Sequence, residues 1–86
     1  MDLASFRASR GLTQLECARE LGLAAKSYIS AVESGAIRAP LRMALQIEAW
    51  SEGQVPADQL VDDDDRQLLA RHRQIASRRQ PAEARA

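Results

Sequence analysis

The chain has 86 residues, enough for a single core, and its 45% hydrophobic and 28% charged content is that of one globular unit. Basic and acidic residues balance to a formal net charge of zero, so any interface with nucleic acid must come from local segregation of charge. The lone Cys17 excludes an internal disulfide and a multi-cysteine zinc site, and no apolar run has membrane-spanning length.

One Phe, one Tyr and one Trp leave a core of Leu, Ile, Val and Ala, and no stretch alternates apolar with polar, so the expected class is all-α. A first helix runs from Asp2, as N-cap, to about Arg10, with Leu3 and Phe6 on one face and Gly11 as its stop. The second opens on a capping box, Thr13-Gln14-Leu15-Glu16, carries Leu15, Ala18 and Leu21 at helical spacing, and ends at Gly22. After Leu23-Ala24-Ala25 a third helix spans about Lys26 to Ser34, with Ile29 and Val32 inward and Gly35 at its end. Two helices joined by so short a turn form a helix-turn-helix connection.

Pro40 suits the first position of a fourth helix carrying Leu41, Ala44, Leu45, Ile47 and Trp50, which Gly53 ends. Pro56 to Val61 is expected as a short fifth helix. Four aspartates, Asp62–Asp65, then precede an arginine-rich stretch, the charge order that suits a helix dipole. A sixth helix is expected over about 63–77, with Leu68, Leu69, His72 and Ile75 on one face, followed by a disordered tail from Gln80 to Ala86. The chain thus divides into a unit at 1–61 and an extension at 62–86.

Arg7, the run Gly11-Leu12-Thr13-Gln14-Leu15-Glu16, Ala18, Leu21-Gly22, Ser27, Ile29-Ser30 and Val32-Glu33-Ser34-Gly35 together resemble the Cro/CI-type (XRE-like) helix-turn-helix regulators, over residues 3 to 61. The resemblance implies a compact five-helix, lambda-repressor-like domain with a helical extension, and a third helix that enters the major groove of double-stranded DNA. It implies that Gln14, behind its Thr13 cap, lies near a phosphate, and that Arg7 and Glu33 form a structural ion pair. The turn is one residue longer than the family's common pattern, around Leu23 and Ala24, and Ala25 stands where a Ser or Thr usually caps the third helix. The base-reading positions are therefore open by about one residue.

Lys26, Ser27, Tyr28, Ser30 and Ala31 are the expected outward residues of that helix. Hydroxyls read bases as donors or acceptors, an Ala methyl meets a thymine methyl, and Lys26 favours a phosphate. Tyr28 is equally a residue packed on the second helix. Arg38 and Arg42 flank the start of the fourth helix, where backbone amides and guanidinium groups together hold phosphate; the alternative is two solvated arginines. Arg10 stands with the same two readings. Cys17 is expected in the core, Trp50 in the core or a subunit interface, and His72 and the aspartate run on solvated surface; none forms a metal site.

No nucleophile–base pair, phosphate loop or metal constellation is present, so neither an enzyme nor a cofactor is expected. The expected function is a cytoplasmic, dimeric, sequence-specific repressor on a palindromic operator, associated with the bacterial nucleoid when bound. Two rivals remain: an antitoxin that represses its own operon and holds a toxin through 62–86, and a helical protein–protein adaptor without DNA, which zero net charge favours. The extension itself has three readings: a dimerisation helix, an accessory DNA-contacting arm, or a solvated appendage.

Overall fold

The computed structural model describes the backbone of residues 1–85 and the side chains of residues 1–76. It is all-helical. Its elements are α1 (Leu3–Ser9), α2 (Gln14–Glu20), α3 (Lys26–Ser34), α4 (Leu41–Trp50), a single 3-10 turn at Ala57–Gln59, and α5 (Asp63–Arg85).

Local chemistry sets most of these ends. The Asp2 carboxylate accepts the Ser5 amide at 2.7 Å and starts α1. At α2 the box is complete: the Glu16 amide donates to Thr13 Oγ1 at 3.1 Å, and the Thr13 amide to Glu16 Oε1 at 2.9 Å. These bonds hold the Asp2 and Glu16 carboxyls below their usual pKa range. Gly35, at φ 80°, ends α3 in the left-handed region that a side chain would strain. α3 starts at Lys26, where expected, and its N-cap Ala25 offers no side-chain cap.

Phe6, Cys17, Ile29, Ile47, Val55 and Val61 are the bulk of the core. Ser51 is buried among them, with Oγ donating to the Glu48 carbonyl and accepting the Val55 amide, so its burial leaves no orphaned group. Long-range polar bonds lock the elements together. The Gln46 amide donates to the Leu21 carbonyl, joining α4 to the end of α2, and the Ala39 amide donates to Leu60, joining the α3–α4 loop to the 3-10 turn.

Four expectations change. Leu15 is 40% exposed, because α2 turns Cys17, Ala18 and Leu21 inward instead. Pro40 stands just outside α4 with extended backbone, and Leu41 is the first helical residue. The fifth helix is only one 3-10 turn; the Glu48 carboxylate takes the Ala57 amide, and i→i+3 bonds from Gln59 and Leu60 leave no room for an α-helical turn. The last helix continues past residue 77 to Arg85, through most of the expected disordered tail and across Pro81; no glycine interrupts it. Ala86 and the side chains beyond Ala76 lie outside the described residues.

Among the described residues, α5 is fastened to the globule through its first half. Leu69 is buried in the core. Arg66 donates to the Asp58 carbonyl, and Arg73 bridges Glu48 of α4 and Asp58 of the 3-10 turn. From Ala70 to Ala76 every side chain is exposed.

The uncapped start of α3 makes a test. Ala25→Ser supplies the missing acceptor and is expected to raise stability by about 0.5–1 kcal/mol, whereas Thr13→Ala lowers it by about 1 kcal/mol. Urea unfolding midpoints read both.

Candidate nucleic-acid interface

The side-chain centre of the N-terminal unit is the Glu33 carboxylate. Arg7 donates to it twice, Nε to Oε2 at 2.7 Å and Nη2 to Oε1 at 3.2 Å, and Gln14 Nε2 donates to Oε1 at 3.1 Å. The third Arg7 donor reaches the Leu12 carbonyl at 2.9 Å. Glu33 therefore joins α1, α2 and α3 at one point, and its hydrogen bonds with Arg7 raise the Arg7 pKa. The expected Arg7–Glu33 pair is present. Gln14 adds a bond that sequence reading missed: its amide nitrogen faces Glu33, and the side chain is half-buried.

With α3 fixed by Ile29, Val32 and Glu33, its opposite side faces solvent. Lys26, Ser27, Ser30 and Ser34 are exposed along it. Tyr28 and Ala31 are only half-buried members of the expected set, because each lies toward an edge of the helix. Tyr28 packs partly against the core and lines a hollow with Leu23, Pro40, Arg42 and Met43, and burial raises its phenol pKa. Ser34 belongs with the exposed stripe; its position four residues after Ser30 was the available signal.

The flanking cations divide into two groups. Arg42 shares the Tyr28 hollow, and Arg38 lines another with Glu33, Ser34 and Gly35, so both stand beside α3. Both are exposed, and neither they nor Lys26 makes an ion pair among the described residues. Arg10 is elsewhere: its guanidinium lies 4.8 Å from the Phe6 ring centre, in a hollow with Leu12, Glu20 and Trp50. Thr13 is exposed at the start of α2, its hydroxyl and amide already used by the capping box.

Charge is segregated despite the zero sum. From Leu21 to Gln46 the only acid is Glu33, which Arg7 neutralises, while Lys26, Arg38 and Arg42 make no ion pair among the described residues. Acids gather later, at Glu48, Glu52, Asp58 and Asp62–Asp65.

Trp50 packs edge-on against Phe6, ring centres 5.1 Å apart, and its indole N–H donates to Glu20. Cys17 is fully buried, which pushes its thiol pKa up to about 11. No helix among the described residues is long and apolar enough to cross a membrane. Comparison with known proteins returns no match to a family model, a curated protein or a solved structure.

Two expectations follow from this geometry. Arg7→Ala removes both Glu33 contacts and the Leu12 contact from a partly buried pair, and is expected to cost about 2–3 kcal/mol in thermal or urea unfolding, between the ranges for exposed and buried pairs. Because thiolate is the reactive form, native Cys17 is expected to resist a disulfide exchange reagent at neutral pH and to react at once in denaturant. Rapid labelling of the native chain would contradict that burial.

Proposed function

We propose that this chain is a sequence-specific double-stranded DNA-binding regulator of the Cro/CI-like helix-turn-helix kind, with α3 as the helix that enters the major groove. One observation carries this reading. α3 presents an exposed row of hydroxyls and one ammonium, Lys26, Ser27, Ser30 and Ser34, opposite its core residues Ile29 and Val32, with the exposed Arg38 and Arg42 in two separate hollows beside it.

The division of labour follows from chemistry. Guanidinium groups carry no base code of their own at a phosphate, so Arg38, Arg42 and Lys26 position the domain. Ser27 and Ser30 face outward where a hydroxyl can donate or accept at a base edge, with the Ala31 methyl and Tyr28 at the margins of that contact. Gln14 keeps its Glu33 bond and, with the α2 amides behind Thr13, supports a phosphate at that helix start. The lambda-repressor-like arrangement and the repressor role belong to this reading too.

A second reading draws on α5. Its exposed Leu68 and Ile75 suit a protein partner, and an autoregulating antitoxin would use them to hold a toxin while α3 holds the operator.

The test is a titration of the purified chain against DNA from its own upstream region at several salt concentrations, beside unrelated DNA. Tight, salt-sensitive binding to that region alone is the expected result. Equal weak binding to both sends the search to other promoters, and no binding even at low salt favours the protein–protein adaptor. Within a specific complex, Arg42→Ala is expected to weaken all sequences alike and lower the salt slope by about 1, while Ser30→Glu abolishes specific binding with the fold intact by circular dichroism. A change of base preference from Arg42→Ala would overturn these roles.

A further inference from the structure

A groove of about 480 Å³ lies between α4 and α5. Four leucines wall it, Leu41 and Leu45 on α4 and Leu68 and Leu69 on α5, with His72 beside them. Leu69 is buried, whereas Leu45 is 41% and Leu68 53% exposed, so the groove has a packed base and two open apolar rims. Along α4 its lining runs from Leu41 to Glu48, about 10 Å of helix, room for a small aromatic ring system.

One end of the groove is closed by charge. Arg73 reaches from α5 to Glu48 of α4 and to Asp58 of the 3-10 turn, and both Glu48 and Arg73 line the groove. One guanidinium thus answers two carboxylates, which leaves this end with one negative charge in excess. Glu48 Oε1 accepts both Arg73 and the Ala57 amide, whereas Glu48 Oε2 accepts no bond among the described residues. An apolar slot therefore ends at a fixed carboxylate with a spare acceptor oxygen. Its volume falls in the range of small-molecule sites, about 300–1,000 Å³, and the bridge across its end stops a helix from running on along it.

We propose that the α4–α5 groove binds a small amphipathic cation, an amine on an aromatic or branched apolar body. The body lies between the leucines, and the ammonium donates to Glu48 Oε2. Burial of the body supplies most of the affinity, and the carboxylate selects the charge. An anion meets the excess negative charge and is refused. A neutral apolar molecule gains the leucines alone. No residue of α3 lines the groove, and the site does not rest on the regulator reading.

The test is a methyl NMR titration of the full chain, without DNA, using three probes that share one ring system: naphthylmethylamine, naphthylmethanol and naphthylacetate. The amine, charged at neutral pH, is expected to saturate one site and shift the Leu45 and Leu68 methyls, with a dissociation constant of about 1 mM or below for so small a ligand. The alcohol and the acetate are expected to bind at least about fivefold more weakly. Leu68→Lys, which sets a like charge on the rim, is expected to weaken the amine about tenfold or more. Glu48→Gln keeps an acceptor for Ala57 and Arg73 and is expected to erase the preference for amine over alcohol. Leu68 is exposed, so that variant and the probe comparison decide the matter even if Glu48→Gln fails to fold by circular dichroism. No saturable shift by about 10 mM amine overturns the proposal. So does binding of the alcohol or the acetate as tight as that of the amine, or an affinity indifferent to Leu68→Lys. Groove methyls that shift with protein concentration before any probe is added would assign the groove to a second copy and overturn it as well.

Discussion

One carboxylate organises the N-terminal half of this protein. Glu33 takes two hydrogen bonds from Arg7 and one from Gln14, and so holds α1 and α2 to α3. Its own side chain is 9% exposed, low enough that an unpaired charge would be costly, and the guanidinium that neutralises it also serves the Leu12 carbonyl. The orientation of α3 therefore rests on two different forces. Ile29 and Val32 are held by non-directional burial, whereas the Glu33 cluster fixes the rotation of the helix about its axis, since hydrogen bonds tolerate little misalignment.

That rotation decides which side chains meet solvent. It turns Lys26, Ser27, Ser30 and Ser34 outward and leaves Tyr28 and Ala31 at the edges. The same cluster consumes the only acid between Leu21 and Gln46, so a chain of zero net charge still carries Lys26, Arg38 and Arg42 on and beside α3 without an ion pair among the described residues. Local electrostatics is thus set by pairing rather than by composition, which is why net charge is a poor guide to the surface of so small a protein.

The C-terminal helix obeys a different balance. Its start is docked by Leu69 and by arginines that reach Glu48 and Asp58, and Glu48 also holds the Ala57 amide, so α4, the 3-10 turn and α5 meet at one acidic residue. Glu48 is to the C-terminal half what Glu33 is to the N-terminal half. Beyond that junction α5 carries apolar residues that its own globule does not bury.

The sequence by itself determined where most helices begin and end. Asp2, the Thr13–Glu16 box, Gly11, Gly22 and Gly35 act within three or four residues, and a signal that short is complete in the string of letters. The same short spacing made the inward positions of α3 legible, and the conjunction of Arg7 with Glu33 was readable only through its likeness to a known pattern. The tertiary structure alone decided the rest: that Gln14 turns its amide to Glu33, that Leu15 is left outside, that Tyr28 and Arg42 share one hollow, that the residues after Pro56 close as a 3-10 turn, and that Arg73 spans two elements. Each of these depends on how helices distant in the chain cross, and the partner of a long polar side chain is fixed by that crossing, not by its neighbours in sequence.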